Sequence, residues 1–207
     1  MRLYDSTIPS GNSYKVRLLL AQLGLDYAVT ELDILATPSE TRLPSFLAKN
    51  PNGRIPVLEL DNGRCLPESG AILCYLAEGT ALLASEPFER AQTLQWLFFE
   101  QYSHEPYVAV LKFWTYWGGL QQLRTDEIAR LRTRGQDALD VMATHLTTRT
   151  FFVAERYGIA DIALYAYTQS AAALGLHVAP AIERWFERVR AQPKHIPIKR
   201  DALGKAP

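Results

Sequence analysis

Two short polar runs stand where side chains and backbone could do chemistry together. Ser10-Gly11-Asn12-Ser13 precedes the apolar-periodic stretch from Tyr14 to Leu23, and Pro67-Glu68-Ser69 precedes Gly70 to Ala77, which has helical spacing. A helix start leaves backbone N–H groups without intrahelical partners, so it favours an anion. Ser and Asn side chains at such a place add donors and acceptors. Glu68 beside the second start can hold a cation, so a ligand with both an ammonium and a carboxylate, such as an α-amino acid, would suit it. The plainer reading is that Ser10, Glu68 and Ser69 only cap helices.

The surrounding pattern supplies elements to position both runs. Arg2 to Ser6 reads as a strand, Tyr14 to Leu23 as a helix closed by Gly24, and Asp26 to Ile34 as an alternating strand. Strand, helix and parallel strand form a βαβ unit, right-handed by default. Thr37 to Lys49 reads as a short irregular helix. Asn50-Pro51-Asn52-Gly53 is a turn, Ile55 to Leu60 a strand with Pro56 near its start, and Asp61-Asn62-Gly63 turns the chain into a second strand around Arg64-Cys65-Leu66. Ser69 then falls at the N-cap position of the Gly70–Ala77 helix.

After a linker candidate at Gly79 to Pro87, the strand patterns stop. Phe88 to about Trp117, Thr125 to His145, Ile159 to Leu174 and Pro180 to Ala191 carry helical spacing, and Gln192 to Pro207 reads as a loosely packed basic tail. The expected fold is a two-domain α+β/α arrangement: an α/β domain at residues 1–79, then an all-α helical bundle domain at 88–207.

G-R-I-P-V-L, a hairpin, and P-E-S-G-A-I resemble the glutathione-binding half of the cytosolic glutathione transferase superfamily, and the likeness extends over nearly all of the chain. The resemblance implies a thioredoxin-like first domain, a cis peptide before Pro56, and backbone pairing of Ile55 with the cysteinyl unit of glutathione. It gives Glu68 and Ser69 the γ-glutamyl end, and Arg42 and Arg54 the glycyl carboxylate. Superfamily members of the bacterial type place a thiol-contacting Ser or Cys about fourteen residues before the Gly that ends the first helix, which lands on Ser10, with Ser13 at the second position of the ancestral C-x-x-C. Ser10 is the first choice as thiolate donor and Asn12 the second, a backbone amide being the remaining alternative. Tyr4, inside the first strand, is set aside. Gly158-Ile159-Ala160-Asp161 stands where relatives carry a Ser/Thr-x-x-Asp capping box; Gly158 leaves one arm missing, and Asp161 reads as a folding residue.

The chemistry so implied is thiol activation. A free thiol of pKa about 8.5 is only about 3% thiolate at pH 7. Lowering that pKa by about two units gains roughly 25-fold, about 2.7 kcal/mol, which a helix N-terminus and one or two donors can supply. With Ser at positions 10 and 13, exchange through an enzyme-bound mixed disulfide has no protein thiolate there, and Cys65 and Cys74 read as buried thiols. The second substrate is expected to be a small hydrophobic electrophile meeting some of the aromatic residues between 102 and 117, with Tyr102, Tyr107 and Trp114 named for it. Most rings in such a stretch are ordinarily core or dimer contact.

The formal net charge of +0 over 207 residues, 48% of them hydrophobic, argues against non-specific nucleic-acid binding and allows substantial cores. No run reaches the ~18 apolar residues of a membrane helix, no signal peptide is visible, and the cysteines form no metal-ligand cluster with the four His. The expectation is a cytoplasmic homodimer with no metal and no permanently bound cofactor, using glutathione as co-substrate. Its rivals are a glutathione-dependent peroxidase, isomerase or dehalogenase on the same fold, and a non-catalytic binding module.

Overall fold

The computed structural model describes residues 1–198; residues 199–207, counted with the helical half in the sequence reading, lie outside the described residues. The chain divides into two compact units, Met1–Glu78 together with the residues from Pro193, and Gly79–Gln192.

In the first unit the order is β1 (Arg2–Ser6), α1 (Gly11–Leu23), β2 (Ala28–Leu32), a 3₁₀ turn at Glu40–Arg42, α2 (Pro44–Leu47), β3 (Val57–Glu59), β4 (Cys65–Pro67) and α3 (Ser69–Ala77). The strands form one mixed sheet in the order β2-β1-β3-β4. Here β1 and β2 are parallel, with Leu3 opposite Val29, and the β1–β3 and β3–β4 pairs are antiparallel. This is the thioredoxin-like arrangement. Its core holds Leu3, Leu18, Leu19, Leu58 and Ile72, all without exposed surface. Helix α1 ends because Gly24 takes φ 67°, and Leu25 N–H then donates to Leu20 O and Gly24 N–H to Ala21 O, a Schellman closure. The buried Arg17–Asp5 ion pair, 3.1 Å, ties α1 to β1.

The tail after Gln192, read from sequence as loose, packs on this unit as far as it is described. Tyr14 is fully buried and its hydroxyl donates to Ile196 O at 2.8 Å, while Ile198 is buried in turn.

The second unit is all helical: α4 (Pro87–Phe99), α5 (Glu105–Phe113), α6 (Thr125–Leu146), α7 (Ile159–Thr168) and α8 (Pro180–Arg190). The stretch from Phe88 to about Trp117, read from its helical spacing, is helical with π-helical turns at Glu100–His104 and Trp114–Gly118. Its core is built on Trp96, Phe152 and Trp185, whose rings meet edge to face at centroid separations of 4.6 and 5.2 Å. Among the described residues no helix is long and apolar enough to cross a membrane.

Candidate functional site

The two polar runs singled out in the sequence meet. Ser10 is the N-cap of α1, with extended backbone (φ −88°, ψ 125°), and its Oγ accepts from Ser13 N–H at 3.3 Å. Accepting that bond leaves the hydroxyl proton able to donate, so capping and ligand contact are compatible at Ser10. Two residues on, Asn12 Oδ1 accepts from the Ser69 hydroxyl at 3.1 Å and from Lys15 Nζ at 2.7 Å. The starts of α1 and α3, each with its unpaired N–H groups, therefore lie side by side, and their dipoles favour an anion at the same place.

Two expectations change at this point. Ser69 is the first residue of α3, not its N-cap; the cap is Glu68, whose carbonyl accepts from Ile72 N–H. The Ser69 hydroxyl is thereby released to cross to Asn12. Glu68 holds φ 70° and ψ 112°, a costly backbone conformation for a residue with a side chain, and strain of this kind gathers at ligand-holding positions. Ser13, expected among the glutathione contacts, has no exposed surface, and its Oγ has no hydrogen-bond partner among the described residues. Its side chain faces inward, and its contribution is the N–H that Ser10 caps.

The Ile55–Pro56 peptide is cis, as the resemblance implies, and a second cis peptide, Thr37–Pro38, had no sequence signal. Ile55 is half-buried directly ahead of β3. Arg42 is exposed, donates from Nη1 to Asn52 O at 3.1 Å, and lies so close over Gly53 that a Cβ there would sit 2.6 Å from Nη1. Gly53 therefore serves two needs, a φ of 62° and room for the guanidinium. Arg54 is exposed too, and its carbonyl accepts from Asn50 Nδ2 at 2.7 Å.

Tyr4 is committed elsewhere. Its hydroxyl donates to Glu59 Oε2 at 2.6 Å, and Lys49 Nζ donates to Glu59 Oε1 at 3.1 Å. Burial and the Glu59 carboxylate push the Tyr4 pKa up, while the Tyr4 and Lys49 donors hold Glu59 below the ordinary carboxylate range. The two thiols are half-buried, less enclosed than the sequence suggested, and burial pushes Cys65 up, away from thiolate character.

In the second unit the three named rings have different surroundings. Tyr102, in the π-helical turn after α4, is 83% exposed, and Phe98 and Leu94 of α4 are exposed as well. Tyr107 is half-buried with the Arg130 guanidinium 6.0 Å from its centroid. Trp114 is half-buried and packs on Gly118, where an added Cβ would lie 2.4 Å from the ring. His104 is internal to the unit. Thr168 donates to Leu164 O at 2.6 Å, so its hydroxyl oxygen must accept from His104 Nε2–H at 3.0 Å. Asp161 is buried and accepts from Trp185 Nε1–H, Phe152 N–H and Gly158 N–H; burial pushes its carboxyl up to about 7 against the pull of those donors.

Sequence reasoning missed Lys15. A lysine one turn into an amphipathic helix ordinarily faces water, and nothing in the spacing showed that its ammonium folds back three residues to Asn12.

A two-domain chain with this mixed sheet and helical second half matches the families described as "Glutathione S-transferase, N-terminal domain" over residues 1–78 and "Glutathione S-transferase, C-terminal domain" over residues 97–193. The chain belongs to the glutathione S-transferase family. It is 50% identical to a glutathione S-transferase from Pseudomonas fluorescens of known crystal structure, with TM-score 0.91 over 95% of this chain and 97% of that one. It is 35% identical to the disulfide-bond oxidoreductase YfcG of Escherichia coli K12, over 89% of this chain and 88% of the relative. It is also 32% identical to elongation factor 1-gamma of Danio rerio, over 86% of this chain but only 42% of that longer protein.

Proposed function

We propose that this protein is a glutathione transferase that ionises the thiol of glutathione at the start of α1 and directs the thiolate at a small hydrophobic electrophile. The observation that carries the reading is the Ser69–Asn12 hydrogen bond, which brings the γ-glutamyl anchor expected at Glu68-Ser69 beside the thiol anchor expected at Ser10-Asn12. Asn12 and Ser10 donate to the thiolate, Ile55 pairs with the cysteinyl backbone, Glu68 meets the γ-glutamyl ammonium, and Arg42 and Arg54 face the glycyl carboxylate. Such donors, fixed before the reaction begins, are what stabilise developing charge effectively. Tyr107 and Trp114 are the apolar contacts for the electrophile.

Tyr102, expected from sequence beside the electrophile, is 83% exposed and stays a candidate for that contact. The homodimer implied by the family likeness would cover apolar side chains left exposed in a single copy, and Leu94, Phe98 and Tyr102 are candidates for that face. A sedimentation run returning a monomer would remove that assignment.

The relative named as a disulfide-bond oxidoreductase favours a second reading of the same site. Without Cys at positions 10 and 13, the attacking sulfur would be that of glutathione itself: its thiolate attacks a disulfide sulfur and releases the other half as a thiolate. The experiment is direct. Glutathione should raise the melting temperature, and a panel of aryl halides, isothiocyanates, enones and a mixed disulfide should show which sulfur acceptor turns over. No thermal shift and no turnover with any acceptor would overturn both readings. Titrating the bound thiol by its ultraviolet absorbance in Ser10→Ala and Asn12→Ala then assigns the donor.

A further inference from the structure

Lys15 is 1% exposed, and its Nζ lies 2.7 Å from the side chain of Asn12, one turn earlier on α1. The carboxamide of Asn12 can sit in two orientations that differ only in exchanging oxygen and nitrogen. An ammonium has three donors and no acceptor, so the atom facing it at that distance is the oxygen. The hydroxyl of Ser69, donating at 3.1 Å, agrees with the same choice. With Oδ1 held from two sides, Nδ2 is turned away from both Lys15 and Ser69, and a flip would set N–H against the N–H⁺ of a lysine that is itself almost wholly buried.

We infer that Lys15 is a positioning residue for thiol activation: it locks the Asn12 carboxamide in the orientation that presents its N–H₂ to the glutathione sulfur. The inference rests on the proposed role of Asn12 and adds a reason why that residue could work as a donor. A free Asn side chain would present oxygen, which repels a thiolate, about as readily as nitrogen. Lys15 acts through Asn12 and does not touch the substrate. Burying a cation is costly, so a role at the site also accounts for a lysine with almost no exposed surface in α1.

The test is a double-mutant cycle on the full chain with glutathione as the probe. In Lys15→Met the bound thiol should titrate about one unit higher, a tenfold loss of thiolate at neutral pH, while glutathione affinity stays within about threefold. Turnover should fall by the same tenfold at neutral pH and recover at high pH, where the thiol ionises unaided; a merely structural lesion would not recover. In an Asn12→Ala background the Lys15→Met change should add nothing. Lys15→Gln, which keeps a donor without the charge, should hold thiolate within about twofold of the parent.

An unshifted thiol in Lys15→Met overturns the inference. So does an equal shift in the Asn12→Ala background, which would mean that the charge acts on the sulfur directly. Failure of both Lys15 variants to fold would assign the residue to stability and also overturn it. Absence of glutathione binding to the parent chain is a different result, because it removes the proposed function itself.

Discussion

The Ser69 hydroxyl donates to the Asn12 carboxamide oxygen at 3.1 Å, joining two helix starts that stand 57 residues apart in the chain. Ser69 is 4% exposed and Asn12 half-buried, so the donor end of the bond is buried while the carboxamide keeps some exposure. Ser69→Ala removes one of the two donors on Asn12 and one hydroxyl of the proposed γ-glutamyl anchor. Glutathione affinity, read by calorimetry, should fall about fivefold to tenfold, corresponding to about 1 kcal/mol for a hydrogen bond. An unchanged affinity together with an unchanged thiol titration would take Ser69 out of the site.

Tyr4 offers the converse case. Its hydroxyl is occupied by Glu59 at 2.6 Å, next to Lys49, in a cluster of its own. Tyr4→Phe should therefore leave turnover and the titration of the bound thiol within about twofold of the parent, and cost at most about 1 kcal/mol of stability through the lost hydrogen bond. A tenfold or larger loss of turnover with the protein still folded would make Tyr4 the thiol donor after all.

Much of this architecture could be read from local signals. Ser10 ahead of an apolar-periodic run, Gly24 after it, and the hairpin residues around Asp61-Asn62-Gly63 all specify backbone conformations that few other residues accept, and the helix and strands appear where those residues put them. What stayed hidden depends on partners distant in sequence or on side-chain direction. The placement of Ser69 at the first helical position turns on the positive φ of Glu68, which no residue type at 68 announces. The burial of Lys15 and its contact with Asn12 depend on side-chain direction, which a lysine in a helical run does not announce. The π-helical turns at Glu100–His104 and Trp114–Gly118 leave a periodicity that straight helix also satisfies.

Lys112 carries a stability consequence with a definite pH window. It is 2% exposed, its Nζ has no hydrogen-bond partner among the described residues, and the Tyr167 ring centroid lies 5.9 Å away. Burial pushes its pKa down to about 8, against ~10.4 in an unfolded chain. Between those values the native state binds fewer protons than the unfolded one, so stability rises with pH from about 8 to about 10 and its contribution is lost as pH falls through about 8. Lys112→Met should stabilise the protein at pH 7 by up to about 3 kcal/mol and abolish that rise. Denaturant midpoints for both proteins at neutral and alkaline pH check the sign; a destabilised variant showing the same rise would contradict it.

Asp161 tests the opposite situation, a buried acid whose partners are all donors. Oδ1 accepts from Trp185 Nε1–H at 2.8 Å and Phe152 N–H at 3.2 Å, and Oδ2 from Gly158 N–H at 3.0 Å. Asp161→Asn is nearly the same shape but must turn an N–H₂ toward one of those donors. The expected cost is about 1–3 kcal/mol in chemical denaturation, the penalty of leaving buried polar groups unpaired. Turnover per folded molecule should be unchanged, because the residue serves the start of α7 and not the site. A specific loss of turnover without loss of stability would refute that division.

Gly158 then separates a rule of sequence from a fact of packing. By the rule, Gly158→Ser completes the capping box with Asp161 and gains a few tenths of a kcal/mol over Gly. The structure puts Leu82 O in the way: a Cβ on residue 158 would lie 2.9 Å from it, and that carbonyl is already fixed by accepting from Ile159 N–H at 2.9 Å. The neighbour is backbone, so it cannot swing aside as a side-chain tip would. The missing Cβ is thus the condition for Leu82 to approach, and the Asp161 arm of the box works alone. Gly158→Ser should destabilise the protein by about 1–3 kcal/mol, the cost of overpacking, and Gly158→Ala by a similar amount. Matched denaturation curves decide it: a Ser variant more stable than the parent would show that the segment holding Leu82 yields and that the capping rule prevails.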